Sequence, residues 1–171
     1  MRHTKDMILI GLGSSLQFCG SAPQEIVRHA VRAIGAFAPV SAVSRLYASP
    51  AWPDASDPPF VNAAIAVASG LPPDALLAAL HVIEDAFGRR RGRKNAPRTL
   101  DLDLLAYGRQ VGRDPALPHP GIAVRDFVLA PLCDIAPDWV SPASGLTARE
   151  MLAALGRVTA APIGPMGDFH R

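Results

Sequence analysis

Proline sets the first limit on this chain. There are 17 of them along its 171 residues. Each fixes φ and removes a backbone donor, so they punctuate the chain into short elements. Met7 to Leu12 is a continuous apolar run that reads as a buried strand. Ser21 with Gln24 predicts a capping box, and behind it Ile26, Val27, Ala30, Val31 and Ile34 recur at helical spacing. Val40 to Tyr47 reads as a second strand. Residues 49–59 carry four prolines and two aspartates and must be loop. Phe60 to Ala68 reads as a third strand. Asp74 to Phe87 is predicted helical, with Leu76, Leu77, Leu80, Ile83 and Phe87 on one face and Gly88 as its stop.

After a basic loop over 89–97, Thr99 to Tyr107 reads as a fourth strand. Phe127 to Ile135 and Thr147 to Leu155 read as helices, the second opened by a Thr147–Glu150 capping box. Residues 160–171 show no apolar period and are expected to fray as a flexible tail. No repeat or long linker divides the chain, so residues 1–171 are expected to form a single domain. The order strand, helix, strand, strand, helix, strand fits an α+β ferredoxin-like sandwich, an antiparallel sheet with helices packed on it. That fold hosts many activities, so chemistry must be sought in sites.

Composition excludes several classes. With 49% hydrophobic and 19% charged residues the chain is globular. A net charge of +2 does not call for a nucleic-acid or membrane partner. No apolar stretch is long enough for a signal peptide or a membrane span. Cys19 and Cys133 have no CxxC companion and suit small buried or half-buried apolar side chains. A reducing cytoplasm is the expected setting.

The sharpest pattern lies in Arg98-Thr99-Leu100-Asp101-Leu102-Asp103-Leu104. On a strand, Leu100, Leu102 and Leu104 face one way and Asp101 and Asp103 the other. The two aspartates are then spaced by about 6.5 Å of strand rise. Such carboxylates repel unless a cation lies between them, and hard divalent ions take carboxylate oxygens while keeping places for water and phosphate. The same alternation also suits an ordinary solvated edge. Arg89, Arg90, Arg91, Arg93, Lys94 and Arg98 fall within ten residues that contain no acid. Guanidinium forks match phosphate oxygens, and beside an acidic pair they fit a metal-bound polyphosphate better than DNA, which Asp101 and Asp103 would repel. Gly11-Leu12-Gly13-Ser14-Ser15-Leu16 lacks the spacing of a phosphate-binding fingerprint and reads as a structural turn after the first strand.

Four segments resemble the hydroxymethyl-dihydropterin pyrophosphokinase family of folate biosynthesis. They are residues 11–16, Ser49-Pro50 through Pro59-Phe60-Val61-Asn62-Ala63, Glu84 through Asp103, and Pro118-His119-Pro120 through Arg125-Asp126-Phe127-Val128-Leu129. They occur in the family's order, over roughly residues 8 to 140. The resemblance implies an enzyme that binds ATP and two Mg2+ ions, then 6-hydroxymethyl-7,8-dihydropterin, and moves a diphosphate onto the pterin's hydroxymethyl oxygen with release of AMP. It implies that Asp101 and Asp103 hold the metals and that Arg89, Arg91 and Arg98 clamp or close over the phosphates. It places Glu84, His119 and Arg125 at the nucleotide. Asn62 would read the pterin edge, Phe60 and Phe127 would sandwich its ring, and Ser49, Pro50 and Trp52 would line its pocket. A mixed donor–acceptor amide and two aromatic rings suit a flat heteroaromatic ligand.

Each assignment has a plainer counterpart. Phe60 and Phe127 suit a core, Asn62 a strand end and His119 a loop. His81 matches a position near the family's nucleotide pocket, and Trp139 reads as packing. The chain departs from many relatives in carrying Asn95-Ala96 before Pro97-Arg98-Thr99, in its short 112–117 stretch, and in Trp52. Two other classes remain to be separated by assay. A nucleic-acid module would have no use for Asp101 and Asp103, and a metal phosphohydrolase would have none for Asn62 and the phenylalanines.

Overall fold

The computed structural model of the chain describes residues 7–51, 54–90 and 96–167. In its sheet β1 (Ile8–Ser14) pairs antiparallel with β4 (Phe60–Val67), the middle strand, on one edge and with β5 (Asp101–Tyr107) on the other. The far edge of β4 is shared by β2 (Val40–Val43) and β3 (Leu46–Ser49), and β8 (Ala161–Gly164) adds outside β3. A small hairpin of β6 (Gly112–Arg113) and β7 (Ala116–Leu117) follows β5.

Two helices cover one face. The expected apolar stripe of α1 (Pro23–Gly35) buries Ile26, Val27, Ala30, Val31 and Ile34. α2 (Pro73–Ala86) buries Leu76, Leu80, Ile83 and Glu84. Both pack against Ile10, Leu12, Ile65, Leu102 and Leu104 of the sheet. The opposite face carries Leu9, Ala66, Leu105 and Ala106 under α3 (Asp126–Ile135) and α4 (Ala148–Ala154), with Trp139 in that core. The antiparallel α+β sandwich expected from the element order is thus the observed fold.

The acidic strand is fixed by its leucines. Leu100, Leu102 and Leu104 are all buried on the α1–α2 side. Burying three such side chains contributes roughly 5–9 kcal/mol, and a one-residue slip would expose them. That outweighs the repulsion between Asp101 and Asp103, so both are held on the other face.

Several local expectations are corrected. α1 begins after Ala22, whose N–H is capped by the Glu25 carboxylate at 2.9 Å, while Ser21 exchanges backbone hydrogen bonds with Phe18. The strand expected over 40–47 is two strands. It breaks at Ser44, whose Oγ accepts the Ala64 N–H at 2.9 Å, and at Arg45, whose N–H donates to Asp134 at 3.0 Å. The tail does not fray over its described length. It forms β8, and Met166 beyond it is buried against α1 and its neighbours. A single buried methionine and a four-residue edge strand leave no period to read. Cys19 is exposed rather than buried, on a left-handed φ of 47°. The Thr147–Glu150 capping box forms as expected.

Candidate active site

The open part of the α3-side face is built across three strands. Gly13 of β1 lies opposite Asp101 of β5 and opposite Asn62 of β4. Gly11 lies opposite Asp103. A Cβ on Gly13 would stand 3.5 Å from Asn62 Oδ1, 3.7 Å from the Phe60 ring and 3.8 Å from Asp101 Cβ. Gly13 therefore leaves a bare floor between Asp101 and the amide, whereas a Cβ on Gly11 would stand 3.3 Å from the Leu105 side chain. This corrects the reading of residues 11–16 as a turn, since β1 runs through to Ser14. The two-residue spacing of Gly11 and Gly13 was the available signal.

Above this floor is a cavity of about 440 Å3. Ser49 and Pro50 reach it from the end of β3, and Phe60 and Asn62 from β4. Phe127 reaches it from the first turn of α3, Arg125 from just before that helix, and His119 from the loop after β7. Asn62 is 5% exposed, and its Nδ2 donates to Ser49 Oγ at 2.8 Å. That bond fixes the amide plane, with Oδ1 over Gly13. The Arg125 guanidinium sits 5.8 Å from the centre of the Phe127 ring.

The other end of the cavity is ionic. Asp101 Oδ1 accepts from Arg89 Nη1 at 2.6 Å and from Arg98 Nη1 at 3.1 Å. Arg89 also donates to the Glu84 carboxylate. Arg98 is positioned by residues that the sequence reading left without a role. Ser15 and Leu16 donate N–H groups to its carbonyl at 3.0 and 3.2 Å, Ser15 Oγ accepts its N–H at 3.1 Å, and Ser14 Oγ donates to the Thr99 carbonyl at 2.6 Å. Asp103 faces His119, with Nε2 3.8 Å from Oδ1. His119 Nδ1 accepts the Gly121 N–H at 3.0 Å, so in the neutral ring the proton belongs on Nε2, toward Asp103. Burial, and then the charge of Asp101, push the Asp103 carboxyl above the usual range.

Glu84 does not line this cavity. It is 1% exposed in α2, and its Oε1 accepts the Leu102 N–H at 2.7 Å. Burial pushes its carboxyl up to about 7, against the opposing pull of the Leu102 N–H and Arg89. It ties α2 to the acidic strand and orients Arg89. Glu84 instead lines a second cavity of about 260 Å3, together with Leu77, His81, Pro115 and Ala116 among others. The two cavities share Arg89, Asp101, Asp103 and His119 in their walls. Arg91 and Trp52 lie outside the described residues. All the other expected site residues except Glu84 line the larger cavity.

The acids suit one kind of cation binding and not another. Among the described residues, no three His, Cys, Asp or Glu side chains cluster as a closed metal cage. Two aspartates on one strand face, one of them raised by burial and by its neighbour, fit a hard cation that shares its coordination with substrate phosphate.

Comparison with known proteins follows this geometry. Residues 9–137 match the family described as 7,8-dihydro-6-hydroxymethylpterin-pyrophosphokinase (HPPK). The chain is 43% identical over 110 residues to a Synechocystis protein named 2-amino-4-hydroxy-6-hydroxymethyldihydropteridine pyrophosphokinase, covering 63% of this chain and 56% of that one. Proteins of the same name from Methylorubrum extorquens and Pseudomonas aeruginosa are 41% and 40% identical over 148 and 151 residues. Those matches cover 85% and 86% of this chain, and 91% and 90% of the relatives. A Plasmodium falciparum HPPK-DHPS crystal structure superposes with a TM-score of 0.68 at 12% identity, over 87% of this chain and 44% of that one. No helix among the described residues is long and apolar enough to cross a membrane.

Proposed function

Since this chain belongs to the 7,8-dihydro-6-hydroxymethylpterin-pyrophosphokinase family, we propose that it transfers a diphosphate from ATP to the hydroxymethyl group of 6-hydroxymethyl-7,8-dihydropterin, releasing AMP, as a step of folate biosynthesis. The reading takes the chain as a single cytoplasmic pyrophosphokinase domain. The observation that carries it is that Arg89, Asp101, Asp103 and His119 stand in the walls of both cavities. A transfer between two bound substrates needs a junction of this kind, and a hydrolase or a binding module does not.

The larger cavity takes the pterin. Its ring lies by Phe60 and Phe127, and its polar edge meets Asn62 and Ser49, with Pro50 beside them. The amide is already held by Ser49, so reading the edge costs little reorganisation. The smaller cavity, by His81, takes the nucleotide, and its phosphates extend to the junction. There the pterin oxygen bonds to the β-phosphorus, the bond from that phosphorus to the oxygen bridging to the α-phosphate breaks, AMP leaves with that oxygen, and the hydroxyl proton passes to solvent. Arg89, Arg91, Arg98, His119 and Arg125 bind and orient the phosphate oxygens. Preorganised donors of this sort, together with alignment of the reacting atoms, supply most of the acceleration in phosphoryl transfer. Glu84 stands in the wall of the nucleotide cavity and orients Arg89 toward the junction. Asp101 and Asp103 would hold two Mg2+ ions, which neutralise phosphate charge and lower the pKa of the attacking alcohol.

The test is ATP with and without the pterin, products resolved by mass. AMP and pterin diphosphate formed only when both substrates are present is the expected result. Nucleotide cleavage without pterin indicates a hydrolase, and no cleavage under either condition indicates a binding module. Either outcome overturns the proposal.

A further inference from the structure

Phe127 is backed by three elements. Its inward neighbours are Tyr47 of β3, Ala130 of α3 and Ala160, which precedes β8. Ala160 belongs to a segment beyond the residues that match the family, which end at 137. That segment is tied to the turn carrying Phe127 by one carboxylate. Asp126 Oδ2 accepts the Thr159 N–H, the Thr159 Oγ1 hydroxyl at 2.8 Å and the Ala160 N–H at 3.0 Å. Partial burial works against the charge on Asp126, but these donors outweigh it and hold the carboxyl below its usual range.

The segment is also held on its other sides. Ala161 and Pro162 sit opposite Ala48 and Tyr47 in the β3–β8 ladder. Arg28 Nε donates to the Met166 carbonyl at 2.8 Å. Tyr47 itself lies opposite Asn62 in the β3–β4 ladder, and its hydroxyl bonds Asp134 at 2.9 Å. One C-terminal segment therefore braces both the strand next to the pocket amide and the helix turn that presents a pocket ring.

We infer that Asp126 and Thr159 are positioning residues for the flat substrate: by tying residues 159–160 to the first turn of α3, they hold Phe127 in place against the cavity. The inference rests on the pterin reading of that cavity. Neither residue touches the reacting atoms. Loosening them frees the Phe127 turn, and with it Arg125 at the helix N-cap, while leaving Arg89, Arg98, Asp101 and Asp103, which lie on other elements, in place. The larger effect falls on the flat substrate, and a smaller one reaches the nucleotide through Arg125.

The experiment uses the full chain and measures kcat and both KM values for wild type, Asp126→Ala, Thr159→Ala and Thr159→Ser. Asp126→Ala should raise the pterin KM about fivefold or more and the ATP KM by a clearly smaller factor. Thr159→Ala should raise the pterin KM about twofold and Thr159→Ser should restore it, because only the hydroxyl donor changes. Folded variants with an unchanged pterin KM, or with both KM values raised alike, overturn the inference. Amide exchange at Val128, Leu129, Thr159 and Ala160 should quicken in Asp126→Ala whether or not turnover is seen. Unchanged exchange refutes the clamp, whereas a wild-type chain that makes no AMP refutes the reaction.

Discussion

Arg89 Nη1 donates to Asp101 Oδ1 across 2.6 Å, from a guanidinium that also bonds buried Glu84. The arginine nearest the acidic strand is therefore oriented by protein carboxylates before any phosphate arrives. Arg98 reaches the same oxygen from the other end of the basic loop. An incoming polyphosphate with its cation meets arginines whose directions are already set, and charge-assisted bonds to it replace bonds to Asp101.

Removing these charges should act on turnover more than on substrate capture. Arg98→Ala is expected to lower kcat by about 30- to 1000-fold, a loss of roughly 2–4 kcal/mol in the transition state, while the pterin KM moves little. Asp101→Ala and Asp103→Ala should each abolish magnesium-dependent turnover in a folded protein. Magnesium titrations of the three variants by steady-state kinetics check this. Near-wild-type rates in either aspartate variant at ordinary magnesium would refute a metal role.

The pocket predicts separate costs for plane and edge. Phe60→Ala should weaken pterin binding by about 1–2 kcal/mol through lost stacking and buried area. Asn62→Ala should cost about 1–3 kcal/mol, because it strands pterin polar groups and Ser49 Oγ together. ATP binding alone should hardly change. Calorimetric titration of pterin against each variant, with a non-hydrolysable ATP analogue present, gives the values. Full pterin affinity in a well-folded Asn62→Ala chain would place the pterin elsewhere.

Gly88 ends α2 on a left-handed φ of 71°, where a Cβ would fall 2.3 Å from the Phe18 ring. Gly88→Ala should therefore destabilise the fold by about 1–3 kcal/mol. Adding Phe18→Ala removes the clash but not the backbone strain, so the double variant should recover only part of the deficit left by Gly88→Ala, measured against Phe18→Ala as its parent. Urea unfolding of the four proteins measures this. Strict additivity of the two changes would show that ring and glycine do not interact.

Glu84 gives the stability a pH dependence of known sign. Burial raises its folded carboxyl from an ordinary 4.5 to about 7. Between those values the folded chain keeps a proton that the unfolded chain has released, so this contribution is full below about pH 4.5 and is lost as pH rises through 7. The loss is of order 2–3 kcal/mol, and Glu84→Gln should remove it. Unfolding free energies of both proteins from pH 4.5 to 8 should differ in slope. Parallel curves would mean that Glu84 is charged throughout.

The sequence makes the acidic face legible because a strand's period of two leaves no choice once Leu100, Leu102 and Leu104 must be buried. The helix stripes were legible for the same kind of reason, as was the Thr147 cap. Other features depend on partners far along the chain. Glu84 lies on the buried stripe of α2 beside Ile83, and its bond to the Leu102 N–H comes from a strand eighteen residues on. The break at Ser44 follows from a bond to Ala64, and the order of the tail follows from Asp126, Arg28 and the edge of β3. No local pattern announces any of these. Gly13 was visible as a residue, but its role as a floor needed the register that sets it between Asp101 and Asn62.

The most direct test of diphosphate transfer follows the β-phosphorus. With ATP labelled with 32P at the β position, 6-hydroxymethyl-7,8-dihydropterin and magnesium, all transferred label should appear in the pterin product, leaving unlabelled AMP as the nucleotide product. Label retained in ADP, or released as free diphosphate whether or not pterin is present, would contradict the account.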